Sequence, residues 1–279
     1  MTVGEALRRA TDLAHEGRSE ATTWDARILL AHTLGHANPL ALPPAAPLPD
    51  ALAARFEGLW RQRLSGVPVQ HLVGEWDFFG RPFRVDSRGL IPRPETEVLV
   101  LQSIGAAPGA RRILDLGTGS GIVAITLLKE LPGARALALD ASVQALALAR
   151  ENGKRLGVSA RLWLAGSDWL TAIDSPPFDI VVSNPPYLAR SESRGLSRTV
   201  ADHDPELALY GGDDGLESIR QILDAVPPVL PPGAPFLFEI GFGQARDVER
   251  ETRSRAAWRF DGIAEDMAGI PRVVRLTRT

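Results

Sequence analysis

The chain has 279 residues, 44% hydrophobic and 23% charged, with a formal net charge of −3. That is ordinary globular composition, long enough for one large α/β domain plus a smaller one. The negative balance argues against a general electrostatic grip on nucleic acid, and the absence of cysteine excludes disulfides, thiolate nucleophiles and Cys-ligated metals. No apolar run reaches the ~18 residues of a membrane span, and residues 1–10 do not read as a signal peptide, so a soluble cytoplasmic protein is expected.

Residues 1–64 read as a small helical bundle. Thr2 with Glu5 fits a capping box, and Val3, Leu7, Ala10 and Ala14 then share a helical face up to Gly17. A second helix opens near Thr22 or Thr23, carries Trp24, Ile28, Ala31 and Leu34, and stops at Gly35. Five prolines between Pro39 and Pro49 make a loop. Asp50 then caps a third helix, with Leu52, Phe56 and Leu59 expected inside and Arg55, Arg61 and Arg63 outside. His15, His32 and His36 read as packing or surface residues, and the bundle as a recognition module or lid. Residues 65–90, punctuated by Gly and Pro, suggest a β-hairpin linker. In Ile91-Pro92-Arg93-Pro94-Glu95-Thr96-Glu97, Arg93 is pinned between two prolines. It is either part of a helix entrance or a group that positions substrate.

Residues 91–279 read as one further domain, and from Arg111 its strands and helices alternate as a doubly wound sheet requires. Strands are expected at 111–116, 135–140, 160–165, 178–183, 235–240, 258–264 and 271–277. Helices fit 121–131, 142–156, 216–226 and 243–256. The first strand runs into Gly117-Thr118-Gly119-Ser120-Gly121, where missing Cβ atoms let backbone approach a ligand and the next helix aims free N–H groups at it. Asp140 ends the second strand, where a carboxylate can accept two ribose hydroxyls, or simply cap the helix at Ser142. After the third strand, Asp168 can accept from an adenine amino group, and Trp169 offers a flat wall or packs into the core.

The fourth strand ends in Asn184-Pro185-Pro186-Tyr187. Two prolines lack backbone N–H groups and fix φ, so they stop the strand at a stiff extended corner. The Asn184 side-chain oxygen and the Pro185 carbonyl can together hold a planar NH2 group, with the aromatic Tyr187 against its flat body. The plain alternative is a proline-rich turn with no chemistry.

Asp115-Leu116-Gly117-Thr118-Gly119-Ser120-Gly121 resembles motif I of S-adenosylmethionine-dependent methyltransferases. With the bundle, the Arg93 element and Asn184-Pro185-Pro186-Tyr187, residues 3–277 resemble the HemK/PrmC family of release factor glutamine methyltransferases. The resemblance extends to Phe78-Phe79-Gly80, Ser167-Asp168-Trp169, Gly211–Gly215 and Phe238-Glu239-Ile240-Gly241. Asp204-Pro205 stands where the family has Glu-Pro, and Asp266–Arg272 is a loose version of its C-terminal segment.

The resemblance implies a class I methyltransferase fold, a Rossmann-like seven-stranded sheet with helices on both faces, behind a bundle (1–64) that recognises substrate. It implies transfer of the S-adenosyl-L-methionine methyl group to the glutamine amide of the Gly-Gly-Gln motif in class I peptide chain release factors, leaving S-adenosyl-L-homocysteine. Asn184, Pro185 and Tyr187 are then the expected catalytic groups, with Pro186 and Arg93 also binding substrate. Gly117 to Gly121, Asp140, Asp168, Trp169 and Asn184 are expected to hold the cofactor. No metal, no stable nucleic-acid binding and a monomer are expected, and Ala189–Gly215 reads as a flexible substrate-gripping loop. Two other readings remain open: an adenine-N6 methyltransferase of DNA or RNA using the same corner, and a non-enzymatic binding scaffold.

Overall fold

Reciprocal caps close the N-termini of the first two helices. Ahead of α1 (Val3–Glu16) the Thr2 amide donates to Glu5 Oε2 at 2.7 Å and the Glu5 amide to Thr2 Oγ1 at 3.3 Å. Ahead of α2 (Thr23–Leu34) Thr22 and Asp25 do the same, and Gly35, at φ 70°, ends the helix in the left-handed region. Third and fourth helices, α3 (Asp50–Leu64) and α4 (Val69–Val73), follow. The computed structural model describes residues 1–17, 19–171 and 177–279. It divides into two compact units, one of Met1–Glu75 with Leu196–Asp204, the other of Trp76–Gly195 with Pro205–Thr279.

Within the first unit, α3 buries a different stripe from the expected one. Ala53, Phe56, Trp60 and Arg63 lie inside, while Leu52 and Leu59 are only half-buried. Arg63 was expected in solvent, yet its Nε donates to Asp25 Oδ2 at 3.0 Å and its Nη2 to the Glu20 carbonyl at 3.1 Å. A buried cation is tolerated when it meets a carboxylate and a carbonyl, and neither partner is visible along the helix itself. Trp24, at helical spacing from the buried Ile28, is nonetheless 46% exposed. The linker stretch also holds more than a hairpin. Pro68 and Gly74 bracket α4, and the strands of the hairpin are β1 (Glu75–Phe78) and β2 (Arg81–Arg84). Gly and Pro that read as turn punctuation are here a helix start and stop.

The second unit is built on seven strands: β3 (Arg112–Leu116), β4 (Arg135–Asp140), β5 (Leu162–Gly166), β6 (Ile180–Ser183), β7 (Pro235–Glu239), β8 (Trp258–Glu265) and β9 (Pro271–Arg278). Their order is β5-β4-β3-β6-β7-β9-β8; the first five are parallel and β9 is antiparallel to both neighbours. Successive side chains on a strand point to opposite faces. Ile113, Ile180 and Leu237 therefore enter one core with α5 (Thr96–Ala106) and α6 (Ile122–Glu130). Leu114, Val181 and Phe236 enter the other, with the helix Glu217–Ala225. Burial on both faces is why these strands read as unbroken apolar runs. Between β4 and β5 lies α7 (Val143–Arg155). Among the described residues no helix is long and apolar enough to cross a membrane.

The stretch 189–215 is not a plain loop. It carries a 3-10 turn (Arg190–Gly195) and helices at Arg198–His203 and Glu206–Leu209, with Leu196–Asp204 part of the first unit. The polar composition that suggested flexibility includes its caps: Ser197 accepts from the Val200 amide. Its end locks the corner after β6. The Leu188 amide donates to the Leu209 carbonyl and the Gly211 amide to the Leu188 carbonyl, both at 2.9 Å. Gln244 Nε2 donates to the Tyr187 carbonyl at 2.8 Å and to that of Gly215 at 3.2 Å. Gly211 is required by close approach, since a Cβ there would run into the Pro186 carbonyl oxygen. Gly211→Ala should therefore lower the unfolding free energy by about 1–3 kcal/mol, the usual range for overpacking. An unchanged urea midpoint would mean the two segments part without cost.

Candidate active site

The parallel register brings the ends of β3, β4, β5 and β6 to one edge of the sheet, where open α/β folds bind ligands. A cavity of about 290 Å³ opens there. The glycine loop folds back over β4: the Thr118 amide donates to the Leu139 carbonyl at 2.9 Å, and the Gly119 amide to Asp140 Oδ2 at 2.8 Å. Gly119 manages this at φ 56°, a conformation that side chains with a Cβ resist. Asp140 Oδ1 accepts from the Ser142 amide at 2.8 Å, and Ser142 itself caps α7. Ser142 rather than Asp140 is thus the N-cap, and each Asp140 oxygen keeps a second lone pair able to accept from a ligand. Burial raises the Asp140 pKa above the ordinary carboxylate value, against the two backbone donors that lower it.

Asp115, at the other end of the loop, is 1% exposed. Thr118 Oγ1 donates to its Oδ2 at 2.7 Å and the Ala124 amide at 3.2 Å. Burial outweighs these bonds and pushes its pKa up to about 7, with the Asp140 charge adding to the rise. Ser120 Oγ and Ser167 Oγ are buried at this cavity with no protein partner. Buried hydroxyls without partners cost free energy unless a ligand or water satisfies them.

Gly117, Thr118, Gly119, Ser120, Asp140, Asp168, Trp169, Asn184 and Pro186 all line this cavity. Trp169 sits at φ 50°, its Nε1 donating to Gln221 Oε1 at 2.7 Å, and its ring stands over Gly117. A non-glycine residue held in the left-handed region is strained, so its placement is enforced by its surroundings. The ring also packs on the core below, so wall and core roles coincide.

Gly121, Pro185, Tyr187 and Arg93 are not among the lining residues. Gly121 packs beneath, where a Cβ would stand 2.8 Å from Ile125 Cδ1. Pro185 is buried, and Arg93 lies half-buried, its carbonyl accepting from the Thr96 amide at 3.1 Å. The Tyr187 hydroxyl donates to Glu239 Oε1 at 3.3 Å, and burial raises its pKa. Asn184 Nδ2 donates to Thr96 Oγ1 at 3.2 Å.

Three contributors escaped the sequence reading. Fully buried Asn152, on α7, donates from Nδ2 to the Ser120 carbonyl at 2.9 Å and the Arg84 carbonyl at 3.1 Å, and accepts from the Arg84 amide. It ties the glycine loop to β2. The other two, Thr96 and Glu239, stand behind Asn184. A polar residue inside an apolar pattern was the available signal in each case, but its partner lies far along the chain.

A methyl donor with an adenosine moiety fits these groups. The loop offers close backbone approach, Asp140 offers hydroxyl acceptors, and the orphaned serines offer polar partners.

Residues 95–203 match the family described as Methyltransferase small domain, and residues 5–74 the PrmC N-terminal domain. A release factor glutamine methyltransferase of Cereibacter sphaeroides is 43% identical over 282 residues, covering 98% of this chain and 98% of the relative. One from Bradyrhizobium diazoefficiens is 37% identical over 279 residues, covering 98% and 94%. Among solved structures, a methyltransferase from Pyrococcus furiosus superposes with a TM-score of 0.56 at 18% identity, covering 72% of this chain and 90% of its own. That likeness speaks for the class I methyltransferase fold alone.

Asp140→Ala should weaken S-adenosylmethionine binding by about 1–3 kcal/mol, the range for lost hydrogen bonds to a charged group. Calorimetry returning the wild-type Kd would remove Asp140 from the binding set.

Proposed function

This chain belongs to the release factor glutamine methyltransferase family, and we infer that it methylates the side-chain amide nitrogen of the glutamine in the Gly-Gly-Gln motif of class I peptide chain release factors. Relatedness across 98% of the chain carries this reading and favours it over an adenine-N6 methyltransferase that would use the same corner. S-adenosyl-L-methionine is the methyl donor; it supplies an electrophilic sulfonium methyl and leaves as S-adenosyl-L-homocysteine.

The glycine loop Gly117–Gly121, with Asp140, Asp168 and Trp169, holds the cofactor. Asn184, which lines the same cavity, faces the acceptor. An amide nitrogen is a poor nucleophile because its lone pair is delocalised. The Asn184 oxygen and the Pro185 carbonyl hold the glutamine NH2 by its two hydrogens, which aims the remaining lone pair at the methyl group. Fixing the reactants in that near-attack geometry is where the rate comes from. The alkylated amide nitrogen is acidic and sheds its proton without a strong base. Pro186 keeps the corner stiff, and Tyr187 supports the glutamine stem and, through its hydroxyl on Glu239, the corner itself. Arg93 binds the incoming loop at the entrance.

The bundle (1–64) recognises the protein substrate and residues 65–90 join it to the catalytic domain (91–279). The enzyme works as a cytoplasmic monomer without stable nucleic-acid binding.

Incubation with radiolabelled S-adenosylmethionine should label a purified class I release factor and leave its Gly-Gly-Gln→Gly-Gly-Ala variant unlabelled. Label on adenine-containing nucleic acid instead would overturn the reading. Asn184→Ala should lower kcat by about 100-fold or more, the scale of a lost positioning contact, while cofactor affinity stays within a few-fold. Near-normal turnover by that variant would exclude the role given to Asn184.

A further inference from the structure

Asn184 can present either end of its amide to substrate, and only the oxygen is useful for gripping an NH2 group. We propose that Thr96 and Glu239 are positioning residues that fix this choice, by using up the Thr96 hydroxyl hydrogen so that the amide must turn its Nδ2 inward and its oxygen to the cavity. The inference rests on the amide-methylation reading above and adds to it a device for setting the Asn184 oxygen.

The orientation follows from a count of hydrogens. The pairing of Ser183 with Phe238 places Asn184 beside Glu239 across the β6–β7 ladder. Glu239 is 1% exposed and Thr96 fully buried. Glu239 takes hydrogen bonds from the Thr96 hydroxyl and the Tyr187 hydroxyl. An ionised carboxylate only accepts, so both hydroxyls must donate to it. The Thr96 oxygen then has only lone pairs left for Asn184, and it meets Nδ2 at 3.2 Å. If Glu239 takes up a proton, it can donate to Thr96, whose own hydrogen is released for the Asn184 oxygen. The amide then turns over and offers NH2 to a substrate NH2, two donors face to face.

Thr96, Tyr187 and Arg272 favour the charged form of Glu239, whereas Glu95 opposes it. Arg272 is itself paired with Asp266 at 2.9 Å. Burial outweighs the favourable contacts and pushes the Glu239 pKa up to about 7, while its Oε2 has no hydrogen-bond partner. The sign follows: the productive amide orientation holds above that pKa, and turnover falls as pH drops through it.

The first test is kinetic, with a class I release factor as acceptor. Thr96→Val should lower kcat at least about tenfold with KM and S-adenosylmethionine Kd within about twofold, and Thr96→Ser should recover to within about threefold of wild type, since only a hydroxyl supplies the relay. Glu239→Gln should lose the acid limb of the kcat–pH profile. Wild-type kcat in Thr96→Val, or an acid limb kept in Glu239→Gln, overturns the proposal. The second test needs no acceptor and stays decisive if a variant is poorly folded or the acceptor is not a release factor. The Asn184 side-chain NH2 signals of isotopically labelled protein, identified as the pair missing from Asn184→Ala, should shift with pH in the wild type around neutrality. NH2 signals that stay constant across that range overturn it.

Discussion

Carboxylates buried at the carboxyl ends of parallel strands govern this site. Asp115 on β3 and Glu239 on β7 are each 1% exposed, and Asp140 ends β4 between strands on either side. A carboxylate taken out of water must recover its lost hydration from nearby donors or give up its charge. The donors at these strand ends come from the loops leaving them and from the first turns of neighbouring helices. The Ala124 amide and Thr118 hydroxyl serve Asp115, the Gly119 and Ser142 amides serve Asp140, and Thr96 and Tyr187 serve Glu239. Each segment is held in place because its free N–H or O–H groups have an anion to answer to.

That constraint separates what the sequence made legible from what it did not. Strands buried on both faces announce themselves as apolar runs, and the glycine loop as a break at the end of one, because both are local properties of a dozen residues. Helix caps are local too, and Thr2 with Glu5 is visible in the sequence itself. Arg63 could not. Its helical face says solvent, and only Asp25, on another helix, makes burial acceptable. The same holds for Asn152, Thr96 and Glu239, whose partners lie far along the chain. Periodicity carries no information about such pairs. The stretch 189–215 failed for a different reason: short helices capped by Ser and Pro have the composition of a loop.

The corner after β6 is stiff by covalent chemistry and placed by non-covalent contacts, and the two are separable. Two prolines fix φ, but nothing in them decides where the rigid piece points. Direction comes from Gln244, whose side chain bonds the Tyr187 and Gly215 carbonyls with its nitrogen and the Gly241 amide with its oxygen. It comes also from Gly211, which lets the Pro186 carbonyl approach. A planar amine acceptor of any kind would be served by such a corner. What distinguishes a protein glutamine from a base must therefore lie in the surfaces around it, not in the four residues themselves.

The buried surroundings also explain why position 184 carries an amide and not a carboxylate. Aspartate has the same shape and two acceptor oxygens, so it would hold a substrate NH2 at least as well in water. Behind Asn184, however, stands Thr96 with one hydrogen, and behind Thr96 stands Glu239 with a claim on it. Two carboxylates contesting a single buried hydroxyl would repel each other, and one would be forced to keep a proton. That proton would sit on residue 184 as readily as on Glu239, and the acceptor would become a donor. An amide avoids the conflict because it donates a hydrogen of its own to Thr96 and leaves its oxygen uncharged and unprotonated. The neutral side chain is thus the form of acceptor that a buried carboxylate next door permits.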